Sequence, residues 1–232
     1  ICSIYSQNKK ILLNKSDTFF QFLDKYISNV EFDLSFLENM DIELLIKKLE
    51  QLCSNGYISF MTKEVMPEIK RRNLAEFSGA FCEDKIFSVE ETERIMRAAA
   101  DLGFKLKLHA DEIVPFNGAE LAAKMNAVSA EHLMAISDNG IKAMAQSGTV
   151  AVVLPATSFF LMSPVYAPAK KMIEEGVRVA IATDYNPGSS PTENLQTAMS
   201  MACYKMKLSP AQILRGVTLN AAYAICREKT IG

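Results

Sequence analysis

The sequence predicts an α/β fold built on a parallel sheet, and three observations predict it. From Asn73 onward a short apolar run is followed, again and again, by an amphipathic stretch of about 12 to 18 residues, the sequence form of βα units. The apolar runs are rich in small and β-favouring residues, as strands buried on both faces are. The chain has 232 residues, 49% hydrophobic and 22% charged, the composition of a cored globular protein.

The expected strands cover 74–81, 104–110, 127–133, 149–156 and 177–183. Between the first two, 88–102 opens with SVEE, a Ser N-cap with Glu three residues on, and stops at Gly103. The stretches 117–125, 137–147 and 167–175 read as the next helices, with Gly148 and Gly176 marking the last two stops. Helices over 192–206 and 209–225 close the chain, the second introduced by Ser209 and Pro210 at cap and first-turn positions. Residues 1–56 read differently. They show helical period over 17–27 and 41–53 and no clear strand, so a boundary is placed at Gly56, with a helical segment before it and the α/β part over 57–232.

Composition narrows the partners. Lys plus Arg number 25 against 27 Asp plus Glu, a formal charge of −2, which offers no basic footprint for nucleic acid or anionic lipid. No apolar run approaches the roughly 18 residues of a membrane span, and neither phosphate-cradling glycine motif is present. A small-molecule partner is the expectation. The five cysteines, at positions 2, 53, 82, 203 and 226, form no CxxC pair and read as reduced, which places the chain in the cytoplasm. The start, ICSIYSQNKK, does not read as a targeting segment and suits a chain cut from something longer.

In parallel α/β folds the functional side chains gather at the carboxyl ends of strands, because the loops there vary while the strands fix their roots. KLKLHADE delivers His109, Asp111 and Glu112 to such an end, AVSAEHL delivers Glu131 and His132, and RVAIATDYNPGSSP delivers Asp184 and Asn186. Both histidines of the chain therefore stand at strand ends, where neighbouring parallel strands would bring them to one mouth. Imidazole nitrogens and a carboxylate oxygen hold zinc or iron while leaving a position for water. Water so bound has its pKa drawn to about 7, and Glu112 could carry its proton. The residues alone therefore predict a metal-assisted hydrolase. Taken singly, each has a blander use: a lone strand-end His is often structural, and a lone Asp often caps a helix. After Asp184, the turn-forming YNPGSSP reads as a substrate loop in which Gly188 allows close approach and Ser189 and Asn186 offer hydrogen bonds. A capping box over Ser190 to Glu193 is the blander reading, and both can hold. Cys82 in AFCED could line the pocket, though nothing beside it activates a thiol.

At KLHADEI, GAELAAKMNAVSAEHL, SGTVAVVLPATSFFL and ATDYNPGSSPTEN the sequence closely resembles the imidazolonepropionases of the amidohydrolase superfamily, and FCEDKIFSVEETERI extends the likeness upstream to cover 57–232. The resemblance implies a metal-dependent hydrolase type of (β/α)₈ barrel, of which about five or six units are present. It implies one zinc or iron ion and hydrolysis of the ring C–N bond of 4-imidazolone-5-propanoate to N-formimidoyl-L-glutamate in histidine degradation. His109 and Asp184 fall on metal-ligand positions. Glu112 matches the carboxylate that contacts substrate and handles the water's proton, His132 the histidine that orients that water, and Asp184 also stands in the catalytic set. Asn186, Gly188 and Ser189 match the loop that holds the ring and propionate.

The departures carry equal weight. The HxH pair that gives this family two further metal ligands has no counterpart in the chain, nor have the upstream arginine and tyrosine substrate contacts. A full barrel takes about 250 residues, so closure requires strands from elsewhere, a second copy in a homo-oligomer among them. Two other functions stay open at this point. One is a non-catalytic barrel remnant that binds a ligand or partner at its open sheet edge; the other is a related cyclic-amide hydrolase or aminohydrolase.

Overall fold

The computed structural model describes residues 54–231, which fall into two compact units, one ending at Glu68 and one beginning at Ile69. The helical periods read at 17–27 and 41–53, and most of the 1–56 segment, lie outside the described residues. In the first unit, residues 54–60 are helical, a π-helical turn follows at Met61–Val65, and α1 begins at Met66 and runs on to Arg71.

The second unit is a five-stranded parallel sheet with the strands in sequence order, β1 (Phe77–Cys82), β2 (Lys105–Ala110), β3 (Ser129–His132), β4 (Val150–Val153) and β5 (Val179–Ile181). Helices α2 (Val89–Asp101), α3 (Gly118–Lys124) and α4 (Asp138–Ser147) occupy the first three crossovers. The sheet with its helices is α/β, the architecture of a partial barrel.

Strand β2 shows why the layers form. Its sequence KLKLHA alternates, so Leu106, Leu108 and Ala110 are buried while Lys105, Lys107 and His109 take the other face. A Cβ on Gly118 would lie 2.7 Å from the Cβ of Ala110, so only a glycine lets α3 approach β2 this closely. The opposite face of the sheet, which carries Lys107 and His109, is the one that opens to a cavity.

The helix starts follow the sequence chemistry. Ser88 accepts from the amide of Glu91 at 3.2 Å while Glu91 accepts from the amide of Ser88 at 2.9 Å, the reciprocal box read from SVEE. Ser209 and Gln212 make the same box ahead of α8 (Pro210–Val217). Gly148 ends α4 with φ of 78°.

Three expectations need correction. The strand placed over 149–156 stops at Val153, because Pro155 fits the first turn of a helix and opens α5 (Pro155–Phe160). With α6 (Ala169–Glu174), this puts two helices between β4 and β5 instead of one. The helix placed over 209–225 is two helices, α8 and α9 (Leu219–Ala224), hinged at Thr218 with φ −117° and ψ −94°. The capping box read at Ser190 to Glu193 is not formed. The Ser190 hydroxyl donates to the Thr183 carbonyl at 2.6 Å, and α7 (Leu195–Met206) is capped by Asn194, which accepts from the Thr197 amide at 3.2 Å.

The hinge at Thr218 has a consequence for the sheet. Helix α8 packs Gly216 against Ile181 on one face of β5, and α9 passes to the other face, where Ala224 joins Val150, Val152, Leu154 and Ala180 in an apolar cluster. The α9 helix thus shields the apolar half of the cavity face. No helix among the described residues is long and apolar enough to cross a membrane.

Candidate metal centre

The cavity on this face has a volume of about 930 Å³, and His109, His132 and Asp184 all line it at the carboxyl ends of β2, β3 and β5. Each reaches it through a strand end. His109 is the penultimate residue of β2, His132 ends β3 with φ of 74°, and Asp184 follows β5 with φ of 53°. Left-handed backbone at a non-glycine residue is costly, and it persists where surrounding bonds fix it.

The two imidazoles stack with ring centroids 3.8 Å apart and planes at 29°, and the ring of Phe81 lies 3.4 Å from that of His109. Glu112 joins them: its Oε2 is 2.6 Å from His109 Nε2, and its Oε1 is 3.5 Å from His132 Nδ1. Ligand atoms of His109, Glu112 and His132 lie within 4.8 Å of one another.

Burial, then the neighbouring His109, push the His132 imidazole down to about 4, against the opposing pull of Glu112 and Asp184. The ring is therefore neutral at physiological pH, with a lone pair free to bind an ion or accept a proton. Burial pushes the Glu112 carboxyl up, but the hydrogen bond with His109, and the attraction of either imidazole when it is protonated, outweigh it and hold the group below its usual range. Glu112 is thus a carboxylate beside a neutral histidine.

This donor set fits a zinc or iron ion: imidazole nitrogens and carboxylate oxygens are the borderline ligands such ions take. Asp184 lines the same cavity but stands outside the group of ligand atoms formed by His109, Glu112 and His132. Its Oδ2 accepts from Thr157 Oγ1 at 2.9 Å, and its backbone carbonyl accepts from Asn186 Nδ2 at 2.7 Å. Below the histidines, Lys107 donates to Ser129 Oγ at 2.7 Å and pairs with Glu131 at 3.4 Å, which makes the cavity floor charge-compensated.

The loop residues stand apart from the rest. Asn186 Oδ1 accepts from the amides of Gly188 and Ser189 at 2.9 and 2.8 Å, and its Nδ2 also donates to Ser189 Oγ at 2.9 Å. The hydrogen-bonding groups of Asn186, Gly188 and Ser189 are spent within their own turn, and none of the three lines the cavity. Cys82 is fully buried outside the cavity, and burial raises its thiol to about 11.

Two structural carboxylates support the site. Asp111, read with His109 and Glu112 as a strand-end group, turns inward and accepts from the amides of Phe116, Gly118 and Ala119 at 2.8, 3.1 and 2.8 Å, capping α3 in place of Asn117. Glu83, which no motif singled out, is fully buried. Its Oε2 accepts from the amides of Glu112 and Ile113, both at 2.9 Å, and so fixes the turn that carries Glu112. Its position one residue past the end of β1 was the available signal.

Comparison with known proteins places the chain. The sequence profile of the amidohydrolase family matches residues 61–232. An imidazolonepropionase of Treponema denticola is 86% identical over 177 residues, which are 76% of this chain and 43% of that protein. One from Alkaliphilus oremlandii is 56% identical over 176 residues, 76% of this chain and 42% of that one. The chain thus spans less than half the length of these relatives.

Among solved structures, an amidohydrolase from an environmental sample of the Sargasso Sea superposes with a TM-score of 0.59 at 17% identity, covering 74% of this chain and 42% of that one. A Xaa-Pro dipeptidase with bound methionine gives 0.53 at 20%, covering 74% and 49%. These two carry the fold alone. Together with the profile match, the histidines and carboxylates at the carboxyl ends of a parallel sheet lead to one assignment: the chain belongs to the amidohydrolase family.

Proposed function

We propose that this chain carries the carboxyl-terminal half of an imidazolonepropionase active site. The reaction is hydrolysis of the ring C–N bond of 4-imidazolone-5-propanoate to N-formimidoyl-L-glutamate in histidine breakdown. The observation that carries this reading is that His109, His132 and Asp184 line one cavity, with Glu112 against both histidines, in a chain 86% identical to an imidazolonepropionase over its matched residues.

In this reading His109 and Asp184 hold one zinc or iron ion, whose Lewis acidity brings deprotonation of water near neutral pH. Glu112, 2.6 Å from His109 Nε2, would carry the water's proton, and His109 would be the ligand beside it. His132, neutral and close to Glu112, orients the water by accepting its hydrogen bond. The turn of Asn186, Gly188 and Ser189 exchanges its internal hydrogen bonds for the ring and propionate of the substrate. The HxH pair of the family is not among these residues, and these residues by themselves do not turn over the substrate.

The test combines the chain with a polypeptide carrying the HxH strand of an imidazolonepropionase and follows loss of the imidazolone. Turnover in the mixture, absent from either part and from a mixture made with His109→Ala, is the expected result. Turnover that survives His109→Ala and Asp184→Asn overturns the reading. Opening of another cyclic amide while the imidazolone stays intact overturns the substrate and leaves the reaction class.

One observation favours a second reading. Helix α9 shields the apolar cavity face of β4 and β5, an arrangement that suits a non-catalytic barrel remnant standing on its own. No turnover in any combination, with a stable chain, selects that reading.

A further inference from the structure

We infer that Thr157 is a positioning residue that fixes the carboxylate of Asp184 for metal binding. The inference rests on the proposed role of Asp184 and adds a residue that neither the sequence motifs nor the family match singles out.

Three features of the structure carry it. Thr157 lies in α5, which follows β4, and its side chain is 1% exposed. Its hydroxyl donates to Asp184 Oδ2 at 2.9 Å across the gap between the ends of β4 and β5. A buried hydroxyl needs a partner, and this one takes an acceptor 27 residues away although a backbone carbonyl one turn back is the local alternative. Among the described residues no other hydrogen bond reaches the Asp184 carboxylate, so one oxygen is tied, and Asp184 lines the cavity.

Asp184 is held from its other side as well. Asn186 Nδ2 donates to its backbone carbonyl at 2.7 Å, which stabilises the left-handed backbone. Asn186 restrains the main chain and Thr157 restrains one oxygen, which together restrict the orientation of the carboxylate. Carboxylates that bind metals are themselves hydrogen-bonded in this way, and loss of such a partner typically weakens the metal about 10- to 100-fold. The helix start serves the same end: Pro155 sets the first turn of α5 and directs Thr157 inward.

The test is a Co²⁺ titration of the whole chain, followed by its visible absorption, with the unaltered protein, Thr157→Val, Thr157→Ser and His109→Ala. The expected result is that Thr157→Val binds about 10- to 100-fold more weakly, while Thr157→Ser keeps the parent affinity and spectrum. The urea midpoint of the metal-free chain should change little in either. Thr157→Ala, which removes the same hydroxyl, replaces Thr157→Val should the latter not fold. Parent-like affinity and spectrum in both hydroxyl-lacking variants, with His109→Ala impaired, overturns the inference and leaves the metal site standing. Absence of Co²⁺ binding in the unaltered chain, or binding untouched by His109→Ala, overturns the site and the inference with it.

Discussion

His132 is the residue whose environment says most about the site. Its pKa of about 4, set by burial and by His109, lies below the ordinary 6.5, so in the metal-free chain the folded state resists a proton that the unfolded state accepts. Stability should therefore fall as pH drops from about 6.5 towards 4, the unfolded chain binding more protons throughout that window. Urea midpoints across that range should show the slope, and His132→Gln should flatten it. Glu83 offers a second residue-scale prediction. Its carboxylate takes the amides of Glu112 and Ile113 inside the protein, and Glu83→Ala leaves both without that acceptor, at about 1–3 kcal/mol by denaturant unfolding. On the proposed function, Glu112→Gln should lower kcat of the completed barrel by about 10²- to 10⁴-fold, the usual contribution of a positioned acid or base. The strand-end rule made His109, His132 and Asp184 legible in the sequence. Glu83 and Thr157 were not, because a buried carboxylate or hydroxyl is recognised by the donors and acceptors around it, and those come from distant strands.

At the scale of elements, each strand was visible from its apolar run, and the helix starts at Ser88 and Ser209 from their cap chemistry. What escaped was punctuation. Pro155 stands inside an apolar run that reads as strand, although a proline there fits the first turn of a helix better than a parallel strand interior. The break at Thr218 left the helical period intact on both sides, so periodicity alone could not find it. The close approach of α3 to β2 was also invisible, because a glycine at a helix start has several uses. The structure gives it one: a Cβ at Gly118 would meet Ala110 at 2.7 Å. Gly118→Ala should therefore destabilise the fold by about 1–3 kcal/mol, the usual cost of overpacking, as read from thermal or urea unfolding.

Among the described residues, the five strands leave β1 and β5 at the two edges of the sheet. The cavity face divides into a polar half, at His109, His132 and Lys107, and an apolar half shielded by α9. That division explains how an open sheet can hold together, since apolar strand faces left in water would be unfavourable in proportion to their area. Ala224→Asp places a carboxylate among Val150, Val152 and Leu154, and should lower the urea midpoint and raise binding of a hydrophobic dye. On the proposed function, His109 and Asp184 hold one ion in this cavity. Diffraction from crystals of the chain soaked in zinc, recorded at the zinc edge, tests it most directly. One anomalous peak is expected, about 2.0–2.2 Å from a nitrogen of His109 and an oxygen of Asp184. A peak bound elsewhere, or none at zinc concentrations that saturate a relative's site, would contradict it.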